Sequence, residues 1–453
     1  MPVSGAEADG RAAAAVSLSD FEERLAALGA PRRFAIAVSG GRDSMALAVL
    51  ASRYAKRHGG DVLVLIVDHG LRAGSREEAA QAARWCETLS LTAEVLTWKG
   101  EKPASGVQAA ARAARYRLLC EACYEHDCVA LMTAHHLEDQ AETVLMRRAR
   151  NVDGENALAR GLSAMAPETL IAAGAGAPVR LLRPLLGIAR ARLTAILEAS
   201  GQPYIDDPSN EDRAFERVRV RQELAAMEAG RPGAAAALAK TADEVRAARR
   251  REDMAARALF REIGGVFTPS GGASFSAEAL AAALNEESAG AMLANLAQAV
   301  TGADHRPNVD AVRSAAANAL DNGASTLAGV LMKRWRGRLY LLREPGAVLG
   351  RAGAPALAPL LLPPGARGLF DRRVLVTNIA ADPISIAPAG EEGRLWLRER
   401  GALSEEPAEA AHSAPFARGR DGAALGAAEA PDGVFSAENL APSTFFEGPL
   451  ARF

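Results

Sequence analysis

Short apolar runs alternate with longer amphipathic stretches in the first third of the chain. The apolar runs are typical of buried strands. They are Phe34 to Val38, Val62 to Val67, Ala93 to Thr97 and Val129 to Thr133. The stretches between them carry apolar residues at helical spacing. They are Asp43 to Arg57, Ser75 to Leu89, Val107 to Tyr124 and Leu137 to Arg148. This alternation predicts an α/β fold with a parallel sheet and helices on both of its faces.

A further helix is predicted ahead of the first strand. Ser19 and Glu22 form a capping box, and Phe21, Leu25 and Leu28 follow at helical spacing. Beyond the alternation, a helix is predicted near Arg190 to Ser200.

The rest of the chain has a different character. Residues 225 to 320 have a mostly helical pattern, and Thr326 to Lys333 with Arg338 to Arg343 predicts a hairpin. Short strands are predicted at Arg373 to Thr377 and Leu395 to Leu397. We therefore predict four parts: an N-terminal extension with the first helix (1–30), an α/β domain (31–225), a helical or mixed domain (226–345), and an Ala/Gly/Pro-rich C-terminal α+β module or tail (346–453).

Composition excludes several protein classes. A chain of 453 residues fills two or three domains, and 49% hydrophobic with 24% charged residues excludes wholesale disorder, collagen and disulfide-rich miniproteins. Four cysteines cannot supply a disulfide framework for this length, and no run of eighteen apolar residues occurs. We expect a reduced, cytoplasmic protein without a membrane segment. Its net charge of −2 argues against a uniformly basic nucleic-acid-binding surface.

A glycine loop follows the first predicted strand and precedes a helix. It is Ser39-Gly40-Gly41-Arg42-Asp43-Ser44. Backbone N–H groups at a helix N-terminus attract phosphate, and glycines let the backbone approach it closely. The Walker A pattern and the Rossmann GxGxxG pattern are both absent. The loop therefore predicts a phosphate site of another type.

This loop resembles the SGGxDS loop of the N-type ATP pyrophosphatase, or PP-loop, family. Members of that family cleave ATP between the α and β phosphates and adenylate an oxygen of their substrate. The resemblance implies that all six loop residues bind ATP, which is a substrate, and that Asp43 acts in catalysis and helps to hold Mg²⁺.

Further motifs, in chain order, resemble the tRNA(Ile)-lysidine synthase family over residues 33 to 225. They are Asp68 to Arg72, Ala111 to Tyr116, Thr133 to Thr143, Arg183 to Leu186, Asp207 to Asn210 and Arg217 to Arg221. The resemblance makes 31–225 the catalytic domain and 226–345 a tRNA-binding domain. It implies a ligase that uses ATP to join L-lysine to C2 of the wobble cytidine in the CAU anticodon of isoleucine tRNA, through an adenylated intermediate. Homodimer formation is left open.

The same resemblance implies roles for individual side chains. Asp68 and His69 would join the ATP site, and His135 would be a catalytic group that contacts ATP or the activated base. On the residues alone, a structural role is favoured for His135. Arg112 and Arg115 would neutralise charge as pyrophosphate leaves. On the residues alone, surface charge is an alternative for both arginines.

Two carboxylates and three arginines complete the predicted site. Asp139 and Glu142 are three apart on a predicted helix, so they share a face and suit a cation. The resemblance implies that they bind lysine; a solvated acidic face is the alternative. Arg217, Arg219 and Arg221 alternate if the segment is extended, and would contact tRNA phosphates or the adenylate, with plain surface charge as the alternative.

Other hypotheses remain open at this point. The cysteines at 120, 123 and 128, with His126, are spaced too tightly for the usual zinc pattern, and core packing is favoured. Two alternative functions are a PP-loop tRNA 2-thiolation enzyme and a noncatalytic RNA-binding protein with a nucleotide fold. The chain also departs from the lysidine-forming pattern at Glu138, at Val218 and at Arg150 to Glu155.

Overall fold

The computed structural model describes residues 14–72, 74–100, 102–103, 105–150, 164–173, 178–206, 216–303, 305–353, 355–400, 406–427, 434–447 and 451–452. The chain divides into two compact units. The first comprises residues 1–173, 178–249 and 453, and the second comprises 174–177 and 250–452. The four-part division stays a prediction.

The first unit is built on a sheet with helices along the chain between its strands. Its elements are α1 (Leu18–Ala27), β1 (Arg33–Val38), α2 (Arg42–His58), β2 (Asp61–Asp68), α3 (Ser75–Thr88), β3 (Thr92–Thr97), α4 (Val107–Glu125), β4 (Ala130–Met132), α5 (Leu137–Arg150), β5 (Glu168–Ala172), β6 (Val179–Leu182), α6 (Arg190–Ser200), α7 (Glu216–Gly230) and the first part of α8 (Ala234–Glu262). The strands of this unit are ordered β5-β6-β4-β1-β2-β3. All pairs are parallel except β5 with β6.

The sheet is covered as the sequence pattern predicts. Phe34 and Ile36 of β1 and Val64 of β2 are fully buried, and they share one core with Leu47 and Leu50 of α2. Continuous apolar strands of this kind require cover on both faces. The predicted parallel sheet with helices is confirmed.

Helix α1 begins earlier than predicted. Ser17 is the N-cap in an extended conformation, and its hydroxyl accepts a hydrogen bond from the Asp20 N–H at 3.0 Å. The Asp20 carboxylate in turn accepts from the Ser17 N–H at 3.3 Å. The predicted capping box of Ser19 and Glu22 is therefore wrong: both residues lie inside the helix.

The second unit contains the end of α8 and three antiparallel sheets. Its elements are β7 (Val266–Phe267), β8 (Ala273–Ser276), α9 (Ala277–Ala283), α10 (Glu287–Thr301), α11 (Val309–Asn322), β9 (Ala324–Leu327), β10 (Val330–Trp335), β11 (Arg338–Arg343), α12 (Pro345–Leu349), β12 (Leu360–Leu362), β13 (Arg367–Phe370), β14 (Val374–Asn378), β15 (Ile384–Pro388), α13 (Gly390–Glu399), α14 (Glu409–His412), β16 (Pro415–Arg418), β17 (Ala424–Ala427), β18 (Phe435–Asn439), α15 (Ala441–Glu447) and β19 (Ala451–Arg452). The sheets are ordered β7-β8-β11-β10-β9, β12-β15-β16-β17 and β13-β14-β18.

Two predictions for this unit are wrong in detail. The single strand expected at Thr326 to Lys333 is split into β9 and β10 by a turn at Ala328 and Gly329, which both have positive φ. The strand expected at Leu395 to Leu397 lies inside helix α13, where Leu397 is buried while Leu395 is exposed. Three residues are too few to separate a strand from one turn of an amphipathic helix.

In the described part of the chain, no helix is long and apolar enough to cross a membrane.

Candidate active site

The glycine loop turns sharply between β1 and α2. Gly40 has a φ of +81°, a conformation that favours glycine. The Ser44 hydroxyl donates to Gly41 O at 2.8 Å and accepts from the Ser39 N–H at 3.2 Å, so the loop is closed on itself. Gly41, the N-cap of α2, provides no side-chain cap, which leaves the helix N-terminus to a ligand.

A distant segment packs on this loop. The Ile205 N–H donates to Gly40 O at 2.9 Å, and a Cβ on Gly40 would lie 2.7 Å from Ile205 Cδ1. The Arg42 guanidinium stacks over the Tyr204 ring at 5.2 Å from its centre. Sequence reasoning missed both residues, because no local pattern links positions 204–205 to the loop.

His136 lies at the centre of a charged cluster. Its ring is fully buried, with Nδ1 2.9 Å from Glu138 Oε2 and Nε2 3.4 Å from Asp43 Oδ2. The guanidinium of Arg190 is 3.1 Å from the same Nε2. Glu138 also accepts a hydrogen bond from the Arg190 N–H, at 3.0 Å, at the start of α6. Arg190 was not predicted, although its place at the start of a predicted helix was a usable signal.

The cluster changes the protonation of its members. Burial alone lowers the pKa of His136, but hydrogen bonds to Asp43 and Glu138 and the charge of Asp139 outweigh it and raise the pKa to about 9. The Arg190 guanidinium can only donate hydrogen bonds, so it disfavours a proton on His136 Nε2. Its single positive charge is outweighed by the negative charges of the three carboxylates. His136 is thus an imidazolium at neutral pH. Burial raises the pKa of Asp43, yet His136 outweighs burial and holds it below its usual value.

Asp139 and Glu142 both contact Arg217 and therefore share a face of α5. Arg217 Nη2 is 2.5 Å from Asp139 Oδ1, and its Nε is 2.8 Å from Glu142 Oε2. Arg221 Nε lies 3.0 Å from Glu142 Oε1. Burial raises the pKa of Asp139, but the charges of His136 and Arg217 hold it below its usual value. A solvated acidic face is excluded, because both carboxylates are buried.

The extended segment assumed for Arg217, Arg219 and Arg221 is wrong. All three lie in helix α7, so residues 217 and 221 share a face while 219 points elsewhere. The predicted contacts of these arginines with tRNA or adenylate stay predictions.

His135 lies within the electric field of Asp139 and Arg183. His135 Nδ1 is 2.8 Å from the Thr133 hydroxyl, and burial lowers its pKa to about 3, assisted by the charges of Arg183 and Arg115. A neutral ring of this kind can exchange hydrogen bonds but is a poor proton acceptor. Its predicted catalytic role stays a prediction.

Arg112 and Arg115 stack on a buried tyrosine. Their guanidinium groups lie 4.9 and 5.5 Å from the centre of the Tyr116 ring. Arg112 is exposed and Arg115 half-buried. Both remain predicted catalytic groups.

Asp68 shapes the turn after β2. Its Oδ1 accepts from the Gly70 N–H at 2.9 Å and from the Ser75 hydroxyl at 2.8 Å. His69 follows, and its buried Nδ1 has no hydrogen-bond partner among the described residues. One oxygen of Asp68 is thus occupied by its own turn, and His69 has an atom to offer a ligand.

The positions at which the sequence departs from the lysidine-forming pattern have different structural roles. Glu138 joins the His136 cluster and caps α6, as described above. Val218 is buried on α7. The segment after Arg150 and the motif Asp207 to Asn210 lie outside the described residues.

Comparisons with known proteins bear on this geometry. A family model described as a PP-loop domain matches residues 17–228. A tRNA(Ile)-lysidine synthase of Rhizobium meliloti (strain 1021) is 34% identical over 418 residues, which is 88% of this chain and 85% of that protein. The chain belongs to the tRNA(Ile)-lysidine synthase family. The family resemblance and the PP-loop fold predicted from the sequence are both confirmed.

Other members of the family match a smaller part of the chain. A tRNA(Ile)-lysidine synthase of Bradyrhizobium sp. (strain BTAi1 / ATCC BAA-1182) is 44% identical over 51% of this chain, and the match spans 63% of that relative. One of Ruegeria pomeroyi (strain ATCC 700808 / DSM 15171 / DSS-3) is 37% identical over 70% of this chain and 73% of its own length. The chain thus spans less than two thirds of the first of these two relatives.

Proposed function

We propose that this family member uses ATP to join L-lysine to C2 of the wobble cytidine in the CAU anticodon of an isoleucine tRNA. The C2 oxygen attacks the α phosphate of ATP, and pyrophosphate leaves. A lysine amine then attacks C2, and AMP leaves with that oxygen. The proposal is supported by the names of the family members and by the arrangement of charged groups around His136.

One observation carries the proposal. His136 Nε2 lies 3.4 Å from Asp43 Oδ2 in the glycine loop and 3.5 Å from Asp139 Oδ2 in the carboxylate pair. The phosphate loop and a candidate cation site are therefore bridged by one imidazole nitrogen. Lysine has two amines, so an ammonium held by Asp139 and Glu142 leaves the other amine to react beside the adenylated base.

The loop fits ATP and a divalent cation. An uncapped helix N-terminus meets phosphate oxygens well. Asp43 Oδ1 is buried without a hydrogen-bond partner in the described residues, with Arg190 Nε 3.9 Å away, and a carboxylate oxygen of this kind suits Mg²⁺. Asp43 would hold the ion together with phosphate oxygens, and Mg²⁺ would neutralise phosphate charge.

Lysine transfer is favoured over sulfur transfer. All four cysteines are free and buried, and burial raises the thiol pKa of both Cys86 and Cys120 to about 12. A thiol must ionise to attack or to carry sulfur. The carboxylate pair, in contrast, suits an ammonium group.

The test is transfer of labelled lysine to an isoleucine tRNA with a CAU anticodon in the presence of ATP. Wild type should incorporate the label, and Asp43→Asn should lose at least roughly a hundredfold in rate, as expected when a group acting on developing charge is removed. Asp61→Asn is the matched control, because Asp61 is exposed at the opposite end of β2. Pyrophosphate release that depends on tRNA without lysine incorporation would contradict the proposal and leave thiolation as the next candidate.

A further inference from the structure

Trp98 lies directly after β3, at the ligand-binding edge of the sheet. The backbone N–H of Trp98 donates to Asp68 O at 2.9 Å, which continues the pairing of β2 with β3 by one residue. Strand β1, on the other side of β2, leads into Ser39 of the glycine loop. Adjacent strands are about 4.8 Å apart, so Trp98 and the loop are separated by roughly 10 Å along this edge.

The indole of Trp98 is half-exposed, and a cationic side chain lies over its ring. Lys102 Nζ lies 4.0 Å from the centre of the ring and donates to Trp98 O at 2.6 Å. The His69 ring meets the indole edge-on, with 6.3 Å between ring centres. Aromatic surface and positive charge are thus combined at one place.

The surroundings favour an anionic, hydrogen-bonding ligand. Burial and the charge of Arg115 lower the pKa of His69, so its ring is neutral, and the charge of Lys102 acts in the same direction. Its Nδ1 is one of the buried polar atoms without a hydrogen-bond partner in the described part of the chain, which indicates a missing ligand group. One oxygen of the nearby Asp68 carboxylate, Oδ1, accepts both hydrogen bonds of its turn, and the charge of Asp68 acts on His69 against the two cations.

We infer that Trp98 and Lys102 form a stacking site for an unpaired tRNA base next to the nucleotide that is modified. An RNA nucleotide offers a π face to the indole and a phosphate to the ammonium, and proteins bind unpaired bases in this way. The inference rests on the proposed function, because it takes tRNA as the second substrate. Adenine of ATP has the same chemistry and is the competing occupant, which the KM for ATP of Trp98→Ala distinguishes from a tRNA base.

The experiment measures binding of an anticodon stem-loop with the CAU anticodon. Trp98→Ala should weaken binding roughly ten- to a hundredfold, as removal of one stacked base contact does. Trp98→Phe should retain most of the affinity, and Lys102→Ala should reduce the salt dependence by about one phosphate contact. Trp396→Ala is the matched control, since Arg400 likewise lies over the Trp396 ring at 4.0 Å, but Trp396 belongs to helix α13 of the second unit.

Stem-loops with a single abasic loop nucleotide make the test specific. One abasic position should abolish the difference between wild type and Trp98→Ala, because the stacked base is already gone. If Trp98→Ala loses the same affinity relative to wild type with every abasic RNA, the inference is overturned in favour of a structural effect. Binding by Trp98→Ala that equals wild type would overturn it as well. A raised KM for ATP with unchanged stem-loop affinity would overturn it in favour of an adenine site.

Failure of the two proposals can be told apart. Lysine transfer by wild type is measured in parallel, and its absence contradicts the proposed function alone if one abasic position still abolishes the Trp98 effect. Thermal melting of each variant checks folding, and Trp98→Phe keeps the site testable if the alanine variant melts early.

Discussion

The guanidinium of Arg217 contacts the carboxylate of Glu142, with 2.8 Å between Nε and Oε2, although the residues are 75 positions apart. The Glu142 side chain is only 1% exposed, and Arg221 occupies its other oxygen. The negative charge of a buried carboxylate that contacts two arginines is fully compensated. An ammonium that binds this pair must therefore share it with Arg217 or displace it.

The first prediction concerns the lysine site. Asp139→Asn should raise the KM for lysine roughly tenfold or more, because a hydrogen bond to a charged group is lost. It should leave the KM for ATP nearly unchanged, since asparagine keeps the side-chain oxygen that accepts a hydrogen bond from the backbone N–H of His136. Steady-state kinetics with each substrate varied separately measure this. Glu223→Gln makes the same charge change on an exposed part of α7 and is the control. A raised KM for ATP alone would contradict the prediction.

The second prediction concerns two neighbouring histidines. His136 should titrate near pH 9, whereas His135 should stay neutral throughout the range from pH 5 to 9, because its pKa is about 3. NMR of protein labelled at histidine, with His135→Gln and His136→Gln for assignment, measures both. Glu138→Gln should lower the His136 value. A neutral His136 ring at pH 7 would contradict the charged cluster.

The same shift has a consequence for stability. The pKa of His136 in the folded protein lies above its unfolded value of about 6.5. Its stabilising contribution is therefore complete below about pH 6.5 and is lost as the pH rises through about 9. Wild type should lose more thermal stability over this interval than His136→Gln. Parallel loss in both proteins would argue against the raised pKa.

The third prediction separates backbone strain from contact at the glycine loop. Gly40→Ala should raise the KM for ATP at least roughly tenfold, because the new Cβ would lie 2.7 Å from Ile205 and displace the loop. Gly59→Ala is the control: Gly59 has a φ of +63° at the end of α2, but nothing lies within 4 Å of the new Cβ. Both changes should destabilise the protein by about 1–2 kcal/mol from left-handed strain. Unchanged ATP kinetics in Gly40→Ala would mean that the loop tolerates the contact.

The fourth prediction concerns a buried charge network in the second unit. Asp371 accepts from Arg343 at 2.9 and 3.1 Å and from the fully buried Arg373 at 2.7 Å. Asp371→Asn should lower the free energy of unfolding by about 3–5 kcal/mol, since it leaves buried arginines without a counter-charge. Calorimetry of the full chain measures this, with the exposed ion pair of Glu392 and Arg418 as control. If Glu392→Gln destabilises as much as Asp371→Asn, burial is not the cause.

Local sequence patterns determined strands β1 to β4, helices α1 to α6 and the position of the glycine loop, but they missed β5 and β6. Apolar runs bounded by turns indicate buried strands wherever the run is long enough. The glycines of the loop, placed between a strand and a helix, indicate phosphate binding directly. The pattern failed where three residues had to decide, as at Leu395 to Leu397, which lies in a helix. It also failed where the assumed conformation was wrong: Arg217 and Arg221 share a helical face instead of alternating along a strand.

The sequence by itself determined the α/β fold and the phosphate loop, and it nominated residues for a candidate site. Only the tertiary structure decided which of those residues touch. It placed His136 between Asp43 and Asp139, brought Arg190 into the cluster, and laid Ile205 on Gly40. The physical reason is that periodicity and turn chemistry act over a few residues, whereas these contacts join segments far apart in the chain and depend on how helices pack around the ends of the strands.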